Sequence, residues 1–223
     1  YSFLLWLFFL TPISLIALIF YYASVGGFGD MPDLEVLENP KTNLASEVIS
    51  SDGKTLGKYY FNDNRTPVTF DELPKHLVDA LIATEDIRFY SHSGIDFKRT
   101  FGAALKLGKD GGGSTITQQL AKLLFTGEGS RDILERLTQK FKEYIIAVRL
   151  ERHYTKDEII TQYLNLYDFG NNGDGIRSAA RIYFGKEPID LDINESAILI
   201  GMLKNSSLYL SLIHISEPTR LRT

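Results

Sequence analysis

A mainly helical chain, preceded by one long apolar helix and a short β-ribbon, is the fold class this sequence predicts. Three observations carry the prediction. Residues Tyr1 to Gly29 contain no charged side chain. Glu47-Val48-Ile49-Ser50 and the run Thr55 to Phe61 flank Asp52-Gly53, a favoured hairpin turn. Between Arg131 and Arg152, Leu134, Leu137, Phe141, Ile145 and Val148 recur at the three- and four-residue spacing of an amphipathic helix.

The first element, Ser2 to Ala23, is rich in Leu, Phe and Ile and is long enough to cross the hydrocarbon core of a bilayer as a helix. Pro12 is tolerable inside such a span. A buried core helix would seldom be apolar on every side. A cleaved signal peptide fits less well, because the run is long and no small-x-small site marks a boundary. With Tyr1 as the first residue, no cytoplasmic flank is present to give orientation by Lys and Arg content. Gly26-Gly27-Phe28-Gly29 and Met31-Pro32 punctuate the exit.

Residues 1–25 are thus expected as a transmembrane helix and 26–66 as a linker holding the ribbon. Residues 67–209 are expected as the main domain and 210–223 as a non-native tail. Within the main domain, Leu73, Leu77, Leu81 and Thr84 share a helical stripe, Pro74 suits a first helical turn, and Glu85 falls at the helix end. On the helix after Arg131, a wheel centred on Phe141 puts Lys140 and Glu143 together on the polar side, away from the apolar stripe. Further helices are expected over Lys156 to Leu166 and Glu195 to Leu203. Strands outside the ribbon are not evident, and no repeat or low-complexity tract occurs.

Composition narrows the function. At 223 residues the chain holds one medium domain plus an extra segment. A net charge of −4 gives no support for nucleic-acid binding, which needs a basic face. The absence of cysteine excludes disulfides and cysteine-ligated metals.

Two dense polar stretches, Thr84 to Asp96 and Gly112 to Lys122, make poor core and a good polar cleft for a sugar and its phosphate. Ser114, Thr115, Thr117, Gln118 and Gln119 supply neutral donors, although an N-capped helix start also explains Ser114 and Thr115. Gly111-Gly112-Gly113 is flexible enough for a lid, and it is not a P-loop because Gly-x₄-Gly-Lys-Ser/Thr is absent. His92, in Phe89-x-x-His92-x-Gly94, is read as fixing the loop by hydrogen bonding in preference to proton transfer. No His/Asp/Glu cluster has dedicated metal-site spacing.

The first stretch resembles the EDxxFxxHxG motif of the family-51 peptidoglycan glycosyltransferases, and Gly112 to Gln119 resembles their GGSTITQQ motif. Gln139-Lys140-Phe141-Lys142-Glu143 is similar to their basic third motif. Glu158 to Asn165, Phe169-Gly170, Gly175-Ile176, Ala179-Ala180 and Tyr183-Phe184-Gly185-Lys186 are similar to the fourth and fifth. The resemblance runs from about Leu34 to Tyr209. Five ordered motifs are specific evidence where one would be weak.

This resemblance implies a lysozyme-like domain that polymerises lipid II into glycan strands, with inversion and release of undecaprenyl diphosphate. The parent is either a monofunctional enzyme or a bifunctional class A penicillin-binding protein, the latter favoured because the Leu34-to-Phe61 ribbon resembles the linker of such proteins. It implies Glu85 as the base acting on the acceptor 4-hydroxyl, and Glu143 as a second essential acid at the leaving diphosphate. Lys122, Lys140 and one of Arg131 or Arg136 become diphosphate binders. Asp86 stays open between an orienting role and a helix C-terminal one. A divalent cation, Mg²⁺ or Mn²⁺, would be held jointly by diphosphate and carboxylates such as Glu85 and Glu143; no organic cofactor is implied. The implied location is the bacterial cytoplasmic membrane, single-pass, with the domain on the extracytoplasmic side. Implied partners are lipid II, the growing strand, the membrane and other cell-wall synthesis proteins, with no nucleic acid.

Some positions depart from the pattern. Gln139 stands where a basic residue is frequent, Asp168 and Asp174 replace aromatics, and Gly102 stands where Arg is frequent. Phe97, Phe101, Leu105 and Leu107 are candidates either for core or for dipping into the membrane. From Leu210 the chain leaves the family, its tail resembling translated sequencing-adapter read-through, so His214 carries no functional weight. No SxxK, SxN or KTG set is present. Two rival readings remain. A lysozyme-type hydrolase needs only one acid near an apolar pocket, and a non-catalytic peptidoglycan-binding scaffold needs neither Glu85 nor Glu143.

Overall fold

The computed structural model describes residues 2–27, 46–52, 55–59, 65–105, 112–127 and 132–216. In chain order its elements are α1 (Ser2–Ser24), β1 (Ser46–Ile49), β2 (Thr55–Tyr59), α2 (Lys75–Glu85), α3 (Phe97–Leu105), α4 (Ile116–Ala121), α5 (Ile133–His153), α6 (Lys156–Leu166), α7 (Gly175–Phe184) and α8 (Ile193–Ser216). They divide into two compact units, Tyr1–Pro40 with Ser93–His153, and Lys41–His92 with Tyr154–Thr223.

In the first unit, α1 carries no charged residue over 23 positions. Among its described side chains only Ile19 and Phe20 are sheltered, while Trp6, Phe8, Phe9, Leu15 and Leu18 are exposed. The side chains at 3–5, 12–13, 16 and 23–24 lie outside the described set, and among the described residues no helix is long and apolar enough to cross a membrane. The helix stops where Gly27 N–H donates to Tyr22 O at 2.9 Å, next to Gly26 with φ of 82°.

The core of this unit lies between α4 and α5. Ile116, Leu120 and Ala121 are buried on α4, and Ile146, Ala147 and Leu150 on α5. This corrects the stripe read from sequence. Leu134 and Leu137 are 73% and 52% exposed, whereas Glu143 is only 4% exposed. The cause is that α5 has two partners. Its 143/146/147/150 face is the buried one, and Phe141 and Tyr144 meet the Phe20 ring of α1. A single apolar stripe cannot describe a helix packed on two sides. Helix α3, not expected from sequence, begins where Asp96 accepts the Arg99 N–H at 2.9 Å, and α4 begins on a capping box of Thr115 with Gln118, the N-capped helix start weighed from sequence.

Gly94 joins these pieces. Its φ is +88°, and a Cβ there would stand 2.8 Å from both the carbonyl carbon and oxygen of Ala147. Gly94→Ala is therefore expected to destabilise the domain by about 2–4 kcal/mol, from backbone strain plus displacement of α5. A wild-type midpoint in urea or thermal melting would contradict this.

In the second unit, β1 pairs antiparallel with β2, Ser46 opposite Tyr59 and Val48 opposite Gly57, with an irregularity between Val48 and Ile49. Gly53 of the expected turn, and Phe61, lie outside the described residues. Helix α2 starts at Lys75, not at Leu73, because Pro74 is extended (φ −69°, ψ 141°) and Leu73 instead ends a 3₁₀ turn over Phe70–Glu72. It packs on α8, with Leu77, Val78 and Leu81 buried. The α6 bounds match the sequence reading, and Thr155 and Glu158 cap its start. Helix α7, not expected, follows a tight turn closed by an isolated bridge between Asp168 and Asp174, with Asn171 and Asn172 at positive φ. Helix α8 continues well past Leu203, to Ser216.

Candidate active site

Glu85 is the last residue of α2 and is half-buried. A carboxylate there meets the negative end of the helix dipole, so helix stability does not account for its position. Tyr163 of α6 and Tyr167, the residue that ends that helix, stand near it: burial first, and then the Glu85 charge, raise both phenols above their ordinary range. Sequence reading missed this pair, although their place within or beside a family motif stretch, one on α6 and one at its end, is the available signal.

The next residue, Asp86, is buried and ends α2 by donating its N–H to Ile82 O at 3.0 Å. Its Oδ2 is hydrogen-bonded to His92 Nε2 at 2.9 Å. Lys156 Nζ donates to His92 O at 2.7 Å and sits 4.2 Å over the Phe89 ring. These contacts hold the 86–92 loop against α6, fixing the direction in which α2 ends and Glu85 emerges.

The second candidate acid lies in the first unit. Glu143 Oε2 accepts from Lys140 Nζ at 2.5 Å, and the same ammonium donates to Ser114 Oγ at 3.1 Å. Around them is a concavity of about 340 Å³ lined by Lys122, Ile133, Arg136, Leu137, Gln139, Lys140 and Glu143. Lys122 starts a π-helical turn over Lys122–Thr126, directly after the end of α4. Three cations face one carboxylate, and the rest of the lining is apolar or neutral. Such a set suits a multiply charged anion with an apolar tail. Gln139, a departure from the family pattern, belongs to this lining.

Not every candidate faces this concavity. Thr115 Oγ1 and Gln118 Nε2 both donate to Gly94 O, at 2.7 and 3.2 Å, and Thr117 Oγ1 donates to Glu151 Oε1 at 2.6 Å. All three side chains are buried. They tie the start of α4 to Gly94 and to α5, a use that the sequence reading did not give Thr117 or Gln118. Gln119 is half-buried, and Arg131 and Gly111 lie outside the described residues. Among the described residues no group of three or more His, Asp or Glu could hold a metal ion.

A helical domain with one acid at a helix terminus and another inside a cationic concavity is the class of protein these features define. The chain belongs to the family-51 transglycosylases, the glycosyltransferase domains of class A penicillin-binding proteins, enzymes of peptidoglycan synthesis. The family model described as Transglycosylase matches residues 52–222. Penicillin-binding protein 1F of Bacillus subtilis (strain 168) is 41% identical over 77% of this chain and 24% of its own length. Penicillin-binding protein 1A of Escherichia coli (strain K12) is 39% identical over 80% of this chain and 21% of its own. Penicillin-binding protein 1A of Vibrio cholerae is 35% identical over 96% of this chain and 26% of its own. The chain thus spans about a quarter of the length of the curated relatives it matches. The mainly helical architecture is consistent with a lysozyme-like transglycosylase domain.

Proposed function

We propose that this domain polymerises a polyprenyl-diphosphate-linked disaccharide, lipid II, into glycan strands, with Glu85 and Glu143 in separate roles. Glu85 takes the proton from the 4-hydroxyl of the acceptor sugar as that oxygen attacks the anomeric carbon of the donor, inverting it. The bond from that carbon to the diphosphate breaks, and the departing charge is stabilised by Lys122, Arg136 and Lys140. Glu143 keeps the Lys140 ammonium aimed at that anion. Asp86, His92, Thr115, Thr117 and Gln118 position the two sites, while Ser114 and Gln119 remain for contact with substrate. Arg131 joins the diphosphate binders as an alternative to Arg136. With three cations in the lining, no step is assigned to Mg²⁺ or Mn²⁺.

The observation that carries this reading is the cationic concavity around Glu143. A hydrolase acting on finished glycan has no diphosphate to hold there. We read α1 as a single-pass anchor in the cytoplasmic membrane, on the absence of any charged residue from its 23 positions. The ribbon then links it to a domain on the extracytoplasmic side. Exposed Phe97 and Phe101 suit contact with the membrane that delivers the lipid. Leu105 and Leu107 offer no support either way, the first by its side chain and the second entirely lying outside the described residues. Residues 210–223 are given no part in the reaction, and other cell-wall synthesis proteins are the expected partners of the longer protein. The test is to incubate the purified chain with lipid II and, separately, with finished glycan free of lipid. Polymer from the first supports the reading; digestion of the second without polymer overturns it.

A further inference from the structure

The contact between α1 and α5 is more specific than an anchor requires. Phe20 is one of only two sheltered described side chains on α1. Its ring meets Phe141 edge-on at 5.4 Å and stacks with Tyr144 at 6.3 Å and 24°. Phe141 and Tyr144 also meet each other edge-on at 6.5 Å, closing a three-ring cluster. In sequence these two rings enclose Lys142 and Glu143, and Phe141 immediately follows Lys140. Burial, and then the Glu143 charge, raise the Tyr144 phenol, which agrees with the carboxylate lying against this cluster.

Helix geometry explains the consequence. Residues 140, 141, 143 and 144 make up little more than one turn, so a rotation of α5 that moved Phe141 and Tyr144 would carry Lys140 and Glu143 with it. In the N-terminal part of the helix, Ile133, Leu134 and Leu137 are exposed. Thr117 and the Gly94 backing hold the far end of α5, beyond Ala147. On the near side Phe20 packs against α5, beside the hydrogen bond of Lys140 to Ser114.

We propose that Phe20 is a positioning residue for the diphosphate site: through the Phe141 and Tyr144 rings, α1 sets the rotation of α5 and hence the aim of Lys140 and Glu143. The inference rests on the proposed diphosphate role of those two residues. It makes the apolar helix part of the catalytic domain's working geometry, besides any role in anchoring.

The test uses the full chain in detergent micelles, where membrane tethering is not rate-determining. Phe20→Ala is expected to lower lipid II turnover about five- to tenfold, the equivalent of one or two aromatic contacts. Phe20→Tyr, which keeps the ring, should restore most of it. Leu18→Ala, at an exposed position one residue short of the sheltered pair, should match wild type. In a double-mutant cycle, Phe20→Ala and Lys140→Gln should be non-additive, because both act on one aimed charge. Equilibrium binding of farnesyl diphosphate, read independently of turnover, should weaken in Phe20→Ala by a similar factor. Wild-type turnover and farnesyl diphosphate affinity in Phe20→Ala would overturn the inference while leaving the diphosphate site intact. Additive losses in the cycle would overturn it as well, reducing Phe20 to general stability. Polymerisation by wild type with unchanged farnesyl diphosphate affinity in Lys140→Gln would instead remove the underlying reading, and the inference with it.

Discussion

Glu85→Gln is expected to reduce lipid II polymerisation by about 10²–10⁴-fold with the fold intact, the range attached to a positioned general base. The amide nearly matches the carboxylate in shape and helix propensity, so α2 should form unchanged. What disappears is the ability to accept a proton. A second signature should accompany the loss. The Glu85 charge helps to raise the Tyr163 and Tyr167 phenols, so removing it should bring both back toward their ordinary value, by the part not due to burial. For Tyr167, tyrosinate titration by difference against a Tyr167→Phe background reads this. Near-wild-type polymerisation by the variant would remove Glu85 as the base. Lost polymerisation with an unmoved Tyr167 phenol would show that Glu85 does not stand against α6 in solution.

The sequence was informative about individual chemistry and less so about which face of each helix is buried. Glu85 at the end of α2 follows from the Leu73–Thr84 periodicity, and α6 was legible to the residue because its Thr155–Glu158 cap is a local signal. The three-residue spacing of Lys140 and Glu143 was also legible, and they do meet. Their setting was not. A helical wheel assumes one buried face, whereas α5 packs on α4 by one side and on α1 by another, contacts between segments more than a hundred residues apart in part. Helix α4 is six residues long, too short to show a period, so nothing local reveals that Thr117 and Gln118 point inward. Their hydroxyl and amide groups read as cleft residues because polarity usually means exposure. Here buried partners, Glu151 and the Gly94 carbonyl, satisfy them. Helix α7 escaped notice for a related reason: its first residue is a glycine at φ of +79°, normally a sign of a turn.

The other large effect concerns the ion pair at the diphosphate site. Lys140→Gln is expected to lower catalytic efficiency on lipid II by about ten- to over a hundredfold, since a hydrogen bond to a charged group is worth roughly 1.5–3 kcal/mol. From sequence, with both side chains on a solvated face, stability should barely change. The structure alters that expectation. Glu143 is 4% exposed and Lys140 is its partner at 2.5 Å, so the substitution leaves a carboxylate poorly compensated within the fold. Because the Lys140 side chain is itself 43% exposed, solvent screens much of the pair, and the cost should stay near 1 kcal/mol rather than reach that of a fully buried one. Glu143→Gln should lose activity too, by leaving the ammonium unaimed. The double variant separates the two consequences. With both charges gone no uncompensated carboxylate remains, so Lys140→Gln/Glu143→Gln should recover most of the thermal midpoint lost in Lys140→Gln. It should nevertheless stay as inactive as the worse single variant, because neither the charge nor its alignment returns. Recovery of activity along with stability would mean that the pair serves the fold alone, and that the diphosphate is held elsewhere.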